Sequence, residues 1–244
     1  MKYRYYLLFF VLSFFTANTA FSQARETTAG FQNAQHPAFT INYNFPSEIV
    51  TGAIQQRLKQ DRISFRVKKG IISCQGVNYP VLGPELIDLY FQVNGLGRRG
   101  RDGSIVTLLI SKGKDNFISS TNDSSLARNA LQFLNSLQQD ISLYSLQQQI
   151  NDQQKSIDSK SKQYNKLLKD SKKMQDKRYS LQRDLSSETD SGKQDKIRKK
   201  IRKLDKGILN NQTNIKNREN ELQQLKGQLS LLHDQLSTQM SKGK

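Results

Sequence analysis

The chain has 244 residues, with 38 Lys and Arg against 21 Asp and Glu, so its formal net charge is +17 at pH 7. Apolar residues make up only 35% of the sequence, and tryptophan is absent. Burial of apolar surface must offset the conformational entropy lost on folding, so this composition argues against one compact globule over the whole length. It therefore argues against a large single-domain enzyme.

The first 22 residues have the organisation of a secretory signal peptide. Lys2 and Arg4 form a basic start, residues 7–15 are mostly apolar, and residues 20–22 offer small side chains to a signal peptidase. A membrane-spanning helix needs about 20 apolar residues, which this run does not reach. We expect cleavage after this triplet and a periplasmic, envelope-associated or extracellular location. Retention of the segment as an anchor is the alternative.

The remaining chain divides by composition. Proline is absent after residue 141, where Gln, Lys, Asp, Ser and Leu come to dominate. The sequence predicts a flexible linker over residues 23–38, an α+β head domain over 39–141 and a coiled-coil stalk over 142–240. Residues 241–244 are expected to be a disordered tail.

The head is predicted to be a small antiparallel sheet with two helices on one face. Alternating and amphipathic patterns set its elements. In chain order these are a strand over 39–45, a helix capped by Ser47, strands over 64–67 and 71–74, a hairpin of 86–93 with 105–110, and a helix capped by Asp123 or Ser124.

One motif in the head resembles a nucleotide-binding loop. Residues 95–100 match G-x-G-x-x-G, but a β-branched run follows at Ile105 instead of the helix that a dinucleotide site requires. We therefore expect a hairpin loop. Its arginines, Arg98, Arg99 and Arg101, are weaker candidates for contact with an anion.

Catalytic and metal-binding groups are sparse. The one cysteine, Cys74, excludes an intramolecular disulfide, and with two histidines it excludes a Cys/His zinc cluster. Apolar neighbours predict that Cys74 is buried in a strand, with an intermolecular thiol as the alternative.

His36 is expected in the linker and His233 in a polar helix, where neither would be tuned for catalysis. Acids in the head fall at strand and turn positions, namely Asp88, Asp102 and Asp115. We expect no catalytic residue, cofactor or metal.

Two heptad patterns occupy the stalk. We call their core positions the seams. The first comprises Leu143, Ile150, Ile157, Tyr164, Ser171, Arg178 and Leu185 with Leu146, Gln153, Lys160, Leu167, Met174 and Leu181. The second comprises Ile197, Leu204, Asn211, Arg218, Leu225 and Leu232 with Ile201, Ile208, Ile215, Leu222, Leu229 and Leu236. Turn-forming residues over 186–194 separate them, and Ser191 is predicted to start a capping box.

Two such helices joined by a short polar loop predict an antiparallel hairpin. When Ser171 is placed opposite Asn211, the apolar layers align about residue 191, and Leu167 meets Ile215. The same pairing places Asp184 beside Lys200. A parallel homodimer would instead bring like charges together in the seams, which is costly. The sequence leaves the oligomeric state open, including a homo-oligomer.

A dense run of cations lies where the second helix begins. We call it the basic tip, and it consists of Lys193, Lys196, Arg198, Lys199, Lys200, Arg202, Lys203 and Lys206. A solvated coiled-coil face and a contact with an anionic surface, such as lipopolysaccharide, phospholipid headgroups or an acidic protein, are both compatible with it. Nucleic acid is not expected, because an exported protein does not meet it and aromatic residues are not interleaved for base stacking.

The chain resembles a group of uncharacterised exported proteins of Gram-negative bacteria. The resemblance lies in the signal ending at 21–23, the segments 89–93, 104–113 and 115–120, and the C-terminal coiled coil. It implies an envelope or periplasmic setting and no assigned activity. We expect a non-enzymatic structural or adaptor protein of the cell envelope that acts on envelope proteins through its head and stalk. The alternative is a binder of anionic surfaces through the basic tip.

Overall fold

The structure is a computed structural model that describes residues 23–113 and 116–242. The predicted signal peptide lies outside the described residues. The elements are β1 (Arg25–Phe31), β2 (Ala34–Tyr43), α1 (Ser47–Gln60), β3 (Arg66–Lys68), β4 (Ile71–Asn78), β5 (Leu86–Leu96), β6 (Gly103–Ser111), α2 (Ser124–Ser187) and α3 (Ser191–Lys242). They form two compact units, the first ending at Tyr144 and the second beginning at Ser145, three residues after the predicted boundary.

The first unit contains a six-stranded antiparallel sheet in the order β1-β2-β6-β5-β4-β3. The predicted hairpin of β5 and β6 is confirmed, with Phe91 opposite Leu108. Alternate strand residues on one face, such as Phe39, pack with Ile54 of α1 and Phe133 of α2 in a single core. Because both helices cover this face, the predicted α+β class is confirmed.

The prediction of a flexible linker over residues 23–38 was wrong. This segment forms β1 and the first half of β2, joined at Gln32 and Asn33, which have φ angles of 50° and 67°. An edge strand buries only part of its surface, so a polar sequence can pair there without a strong apolar pattern. His36 is consequently held in β2, where its ring stacks on Phe117 with centroids 4.0 Å apart.

The two predicted caps of the head helices have different outcomes. Ser47 does not cap α1, since Pro46 occupies the cap position and no side chain bonds there. The Asp123 cap of α2 is confirmed, because its Oδ1 accepts from the Leu126 backbone N–H at 3.0 Å. Its Oδ2 also lies 2.7 Å from Nζ of Lys112.

We expect Asp123→Ala to lower the free energy of unfolding of the first unit by about 1 kcal/mol at pH 7. The hydrogen bond from Leu126, followed by that from Lys112, holds the pKa of Asp123 well below its ordinary value of 3.8. Asp123 therefore contributes stability that is complete above that value and is lost as the pH falls through the folded-state pKa.

Denaturant titrations at pH 7 and pH 2 measure this effect, and the difference between wild type and Asp123→Ala should shrink at pH 2. Asp123→Asn is the control, since asparagine is an equally good cap without a titrating charge. If Asp123→Ala lowered the free energy of unfolding by the same amount at pH 7 and at pH 2, the role assigned to the Asp123 carboxylate would be contradicted.

The prediction that Cys74 is a buried strand residue is confirmed. It lies in β4 with 0% exposure, and burial raises the pKa of its thiol to about 11. The thiolate, which is the form that attacks a disulfide, is therefore rare at neutral pH.

The second unit confirms the predicted helical hairpin. From Ser145 onward, α2 packs against α3, and every seam position of the second unit is buried or half-buried. Helix α3 continues to Lys242, two residues into the predicted disordered tail, so that boundary was wrong. Gly243 and Lys244 lie outside the described residues.

Contacts between the arms confirm the predicted register. The side-chain amide of Asn211 donates to the Leu167 carbonyl at 3.0 Å. In an α-helix that carbonyl points to the N–H of the residue four positions later, so Asn211 lies at the level of Ser171. Nearer the turn, Nε of Arg178 lies 2.6 Å from Oδ1 of Asp205.

Candidate functional site

The basic tip begins at a short connection between the two arms of the hairpin. Three residues, 188–190, separate α2 from α3. Oδ1 of Asp190 accepts from the backbone N–H of Lys193 at 2.8 Å, and the Gln194 amide donates to the Glu188 carbonyl at 2.6 Å. Asp190 therefore caps α3, and the predicted cap at Ser191 was wrong by one residue.

All eight cations of the basic tip are exposed. The seam residues of the same turns, Ile197, Ile201 and Leu204, point between the arms and are half-buried. Because the heptad assigns the cations to the remaining positions, they spread over several outward faces of α3. The tip therefore presents positive charge around much of the helix.

Few carboxylates neutralise this charge. Asp195 lies 3.3 Å from Arg198, and Asp205 is engaged by Arg178 of the other arm. The expected pair of Asp184 with Lys200 does not form. Within residues 23–113 and 116–242, the other seven tip cations have no carboxylate within 4 Å. Water is the main stabiliser of these charges, so an anionic partner can replace it.

A groove runs along one flank of the hairpin beside the tip. Leu181, Leu204 and Gly207 form its apolar part, and Lys177, Lys200 and Lys203 contribute ammonium groups, around a volume of about 490 Å³. Sequence reasoning found Lys200 and Lys203 but missed Lys177 and Gly207. Gly207 is a signal that the sequence offers, because a glycine within a helix leaves a gap in the row of side chains.

The arginine turn of the first unit has a structural explanation. Its three predicted anion contacts, Arg98, Arg99 and Arg101, lie at or beside the short 3₁₀ turn Arg98–Gly100 between β5 and β6. Arg98 and Arg101 are exposed. Their loop joins two strands, as predicted. These arginines belong to the first unit and the tip cations to the second.

The glycines of that turn allow the backbone to close on itself. Gly97 has a φ of 70°, and a methyl group there would collide with the Asp102 side chain. A methyl group on Gly95 would reach the Gly100 Cα at 2.5 Å. The G-x-G-x-x-G spacing is thus required by the turn itself.

The residues considered for catalysis have other roles or lie outside the site. Asp88 accepts from the Gly76 backbone N–H at 2.7 Å, and Asp102 accepts from that of Arg98 at 3.3 Å. Asp115 lies outside the described residues, and His233 is exposed on α3. Across the described ranges, no group of three or more His, Cys, Asp or Glu side chains is placed to hold a metal ion.

A charged network around Arg57 in the head was not indicated by the sequence. Arg57 of α1 lies 2.7 Å from Asp61 and 2.8 Å from Asp140 of α2, and the Tyr79 hydroxyl donates to Asp61 at 2.5 Å. Every member has a partner within the first unit. The network therefore ties α1 to α2 and leaves no unsatisfied group aimed at a ligand.

The chain matches no protein-family model, and no curated protein or solved structure is significantly similar to it. The resemblance to exported proteins of Gram-negative bacteria stays a prediction. Of the helices in the described part of the chain, none combines the length and apolar character needed to span a bilayer.

Proposed function

We propose that this protein is an exported, non-enzymatic structural or adaptor component of the bacterial cell envelope. The helical hairpin is the observation that carries the proposal. Its second arm alone has 52 residues, or about 78 Å at 1.5 Å per residue. Such a hairpin stabilises itself through its seams and leaves its outward faces free for partners.

Exposed apolar side chains on the hairpin support this role. Tyr179 and Leu209 are 64% and 63% exposed, so their apolar surface is available to another protein. Single exposed apolar residues are common on protein surfaces, but aromatic side chains are enriched at interfaces. These two positions are therefore the best sites for trapping a partner.

Photocrosslinking in the native host tests the adaptor role. A photoreactive amino acid at position 179 or 209 should yield one discrete adduct with the same envelope protein. The matched control is Ile157, which is 6% exposed in the seam and should give only crosslinks within the hairpin. Exported protein that forms no adduct from either exposed position would contradict the proposal.

A second function, binding of an anionic surface, is favoured by one specific observation. Seven of the eight tip cations have no carboxylate within 4 Å among the described residues. Each Lys or Arg near an anionic membrane contributes about 1 kcal/mol of attraction. Several tip cations acting together are sufficient for measurable, salt-dependent binding.

Replacement of Lys199, Lys200, Arg202 and Lys203 by Gln should weaken binding to vesicles that contain phosphatidylglycerol by more than tenfold. Cosedimentation at low salt measures the effect, and the wild-type affinity should fall as salt increases, since screening acts over about 10 Å at 0.1 M. Vesicles of phosphatidylcholine alone should not bind.

The matched control removes the same charge from exposed lysines of α2 outside the tip, namely Lys162, Lys166, Lys169 and Lys172. This variant should bind nearly as well as wild type. An equal loss in both variants would show that net charge alone drives adsorption. No loss in the tip variant would leave the tip as a solvated face.

A further inference from the structure

We infer that the groove beside the basic tip is a binding site for a single anionic amphiphile, with its head on the lysines and its apolar chain along the leucines. The groove has a volume of about 490 Å³ and is lined by residues of both arms. It would bind one molecule, which goes beyond the contact of the tip with an extended surface.

Gly207 creates the space for the apolar chain. It lies within α3, and a Cβ added there would meet the Met174 Sδ at 3.6 Å, which is ordinary contact. A larger side chain at this position would occupy the groove. Leu181 and Leu204 add apolar surface to the lining, and both are half-buried.

The charge of the lining selects the head of the ligand. Three of the six lining residues are lysines, Lys177, Lys200 and Lys203, and none is acidic. All three are exposed, so their ammonium groups can reach a ligand at the rim. A ligand with a phosphate or carboxylate on an alkyl chain fits this lining, because the anion can pair with the lysines and the chain can contact the leucines.

The length of the groove argues against a docked helix. Its residues on α3 span Lys200 to Gly207, or about 10 Å at 1.5 Å per residue. A bound amphipathic helix needs anchors over several turns, at i, i+3, i+4 and i+7. The volume instead falls within the range of about 300–1,000 Å³ typical of small-molecule sites.

Dodecyl phosphate below its micelle concentration is the probe, with isothermal titration calorimetry on the chain without its signal. It should bind with a stoichiometry of one and at least tenfold more tightly than inorganic phosphate or dodecyl maltoside. Inorganic phosphate has the head alone, and the maltoside has the same chain on a neutral head.

Two variants localise the site. Gly207→Leu should weaken binding of dodecyl phosphate at least tenfold while keeping every charge, and Gly227→Leu is its control, because a Cβ added at Gly227 would point into open space. Leucine favours helix more than glycine does, so both variants should fold, as circular dichroism would verify. Lys177→Gln with Lys203→Gln should also weaken binding tenfold, whereas Lys162→Gln with Lys169→Gln, at exposed positions outside the tip and the groove, should not.

Three results would overturn the inference. The first is unchanged affinity in Gly207→Leu. The second is binding of many molecules per chain, which indicates detergent-like adsorption. The third is tighter binding of an acidic amphipathic peptide than of dodecyl phosphate, which would assign the groove to a protein. Gly207→Leu keeps every cation of the basic tip, so loss of dodecyl phosphate binding in this variant with unchanged vesicle binding would distinguish the groove from the tip.

Discussion

Replacing Phe133 by alanine is expected to lower the free energy of unfolding of the first unit by about 3–5 kcal/mol. Phe133 is 1% exposed, and its ring centroid lies 5.5 Å from that of Tyr79 and 6.1 Å from that of Phe91. It therefore joins α2 to the sheet and to the segment before β5. Truncation removes these contacts and leaves a cavity that the surrounding strands cannot fill.

Denaturant titration followed by tyrosine fluorescence and near-ultraviolet dichroism measures this loss. Gln132→Ala is the matched control on the same helix, since Gln132 is exposed and should change stability by less than about 0.5 kcal/mol. A cost below about 1 kcal/mol for Phe133→Ala would mean that α2 does not pack on the sheet as described.

The second large effect is expected in the hairpin. Ile157 is 6% exposed in the first seam, so Ile157→Asp would place a carboxylate between the two arms. Loss of the apolar side chain and burial of a charge together should cost about 3–5 kcal/mol. We expect the second unit to lose helix while the sheet of the first unit stays folded.

Far-ultraviolet dichroism against temperature measures the loss of helix. Leu231→Asp is the control, because Leu231 is 63% exposed on the outward side of α3 and a charge there stays hydrated. Equal melting of the two variants would contradict the burial of the seam. Near-ultraviolet dichroism of the head reports whether the first unit is retained.

The hairpin could be predicted from the sequence because its core repeats. Each heptad contributes equivalent positions, so a polar residue at a single seam position, such as Ser171 or Asn211, does not obscure the pattern. The register followed from matching these two polar positions. The Asn211 bond to the Leu167 carbonyl shows why the match works, since a buried amide must find an acceptor in the facing arm.

The edge strand could not be predicted in the same way. β1 has a polar sequence without an apolar alternation, and it is held by backbone pairing with β2, which follows after the turn at Gln32 and Asn33. The cap of α3 was missed by one residue, because several neighbouring polar residues can cap a helix and the direction of the incoming chain decides which of them does. The first helix differs, since Pro46 occupies its cap position without a side-chain bond.

The candidate site was predicted in part. The eight cations of the basic tip all lie between residues 193 and 206 of the sequence, and their exposure follows from the heptad. The groove combines Lys177 of one arm with Gly207 of the other, so it exists only once the register is fixed. The volume of the groove depends on the lack of a side chain at Gly207. Counting charged residues along the sequence does not detect this feature.

Both proposals require the two arms of the hairpin to fold back within one chain, and a disulfide tests this most directly. Cysteines replace Leu167 and Ile215, which face each other in the register set by Asn211. They can form a bridge only when their Cα atoms lie within about 7 Å. Cys74 can stay, because it is 0% exposed. Oxidation at high dilution should give a monomer with an internal bridge, and the outward pair Leu168 and Lys216 should give none. Exclusively intermolecular bridges between like positions would contradict the hairpin and indicate a parallel oligomer.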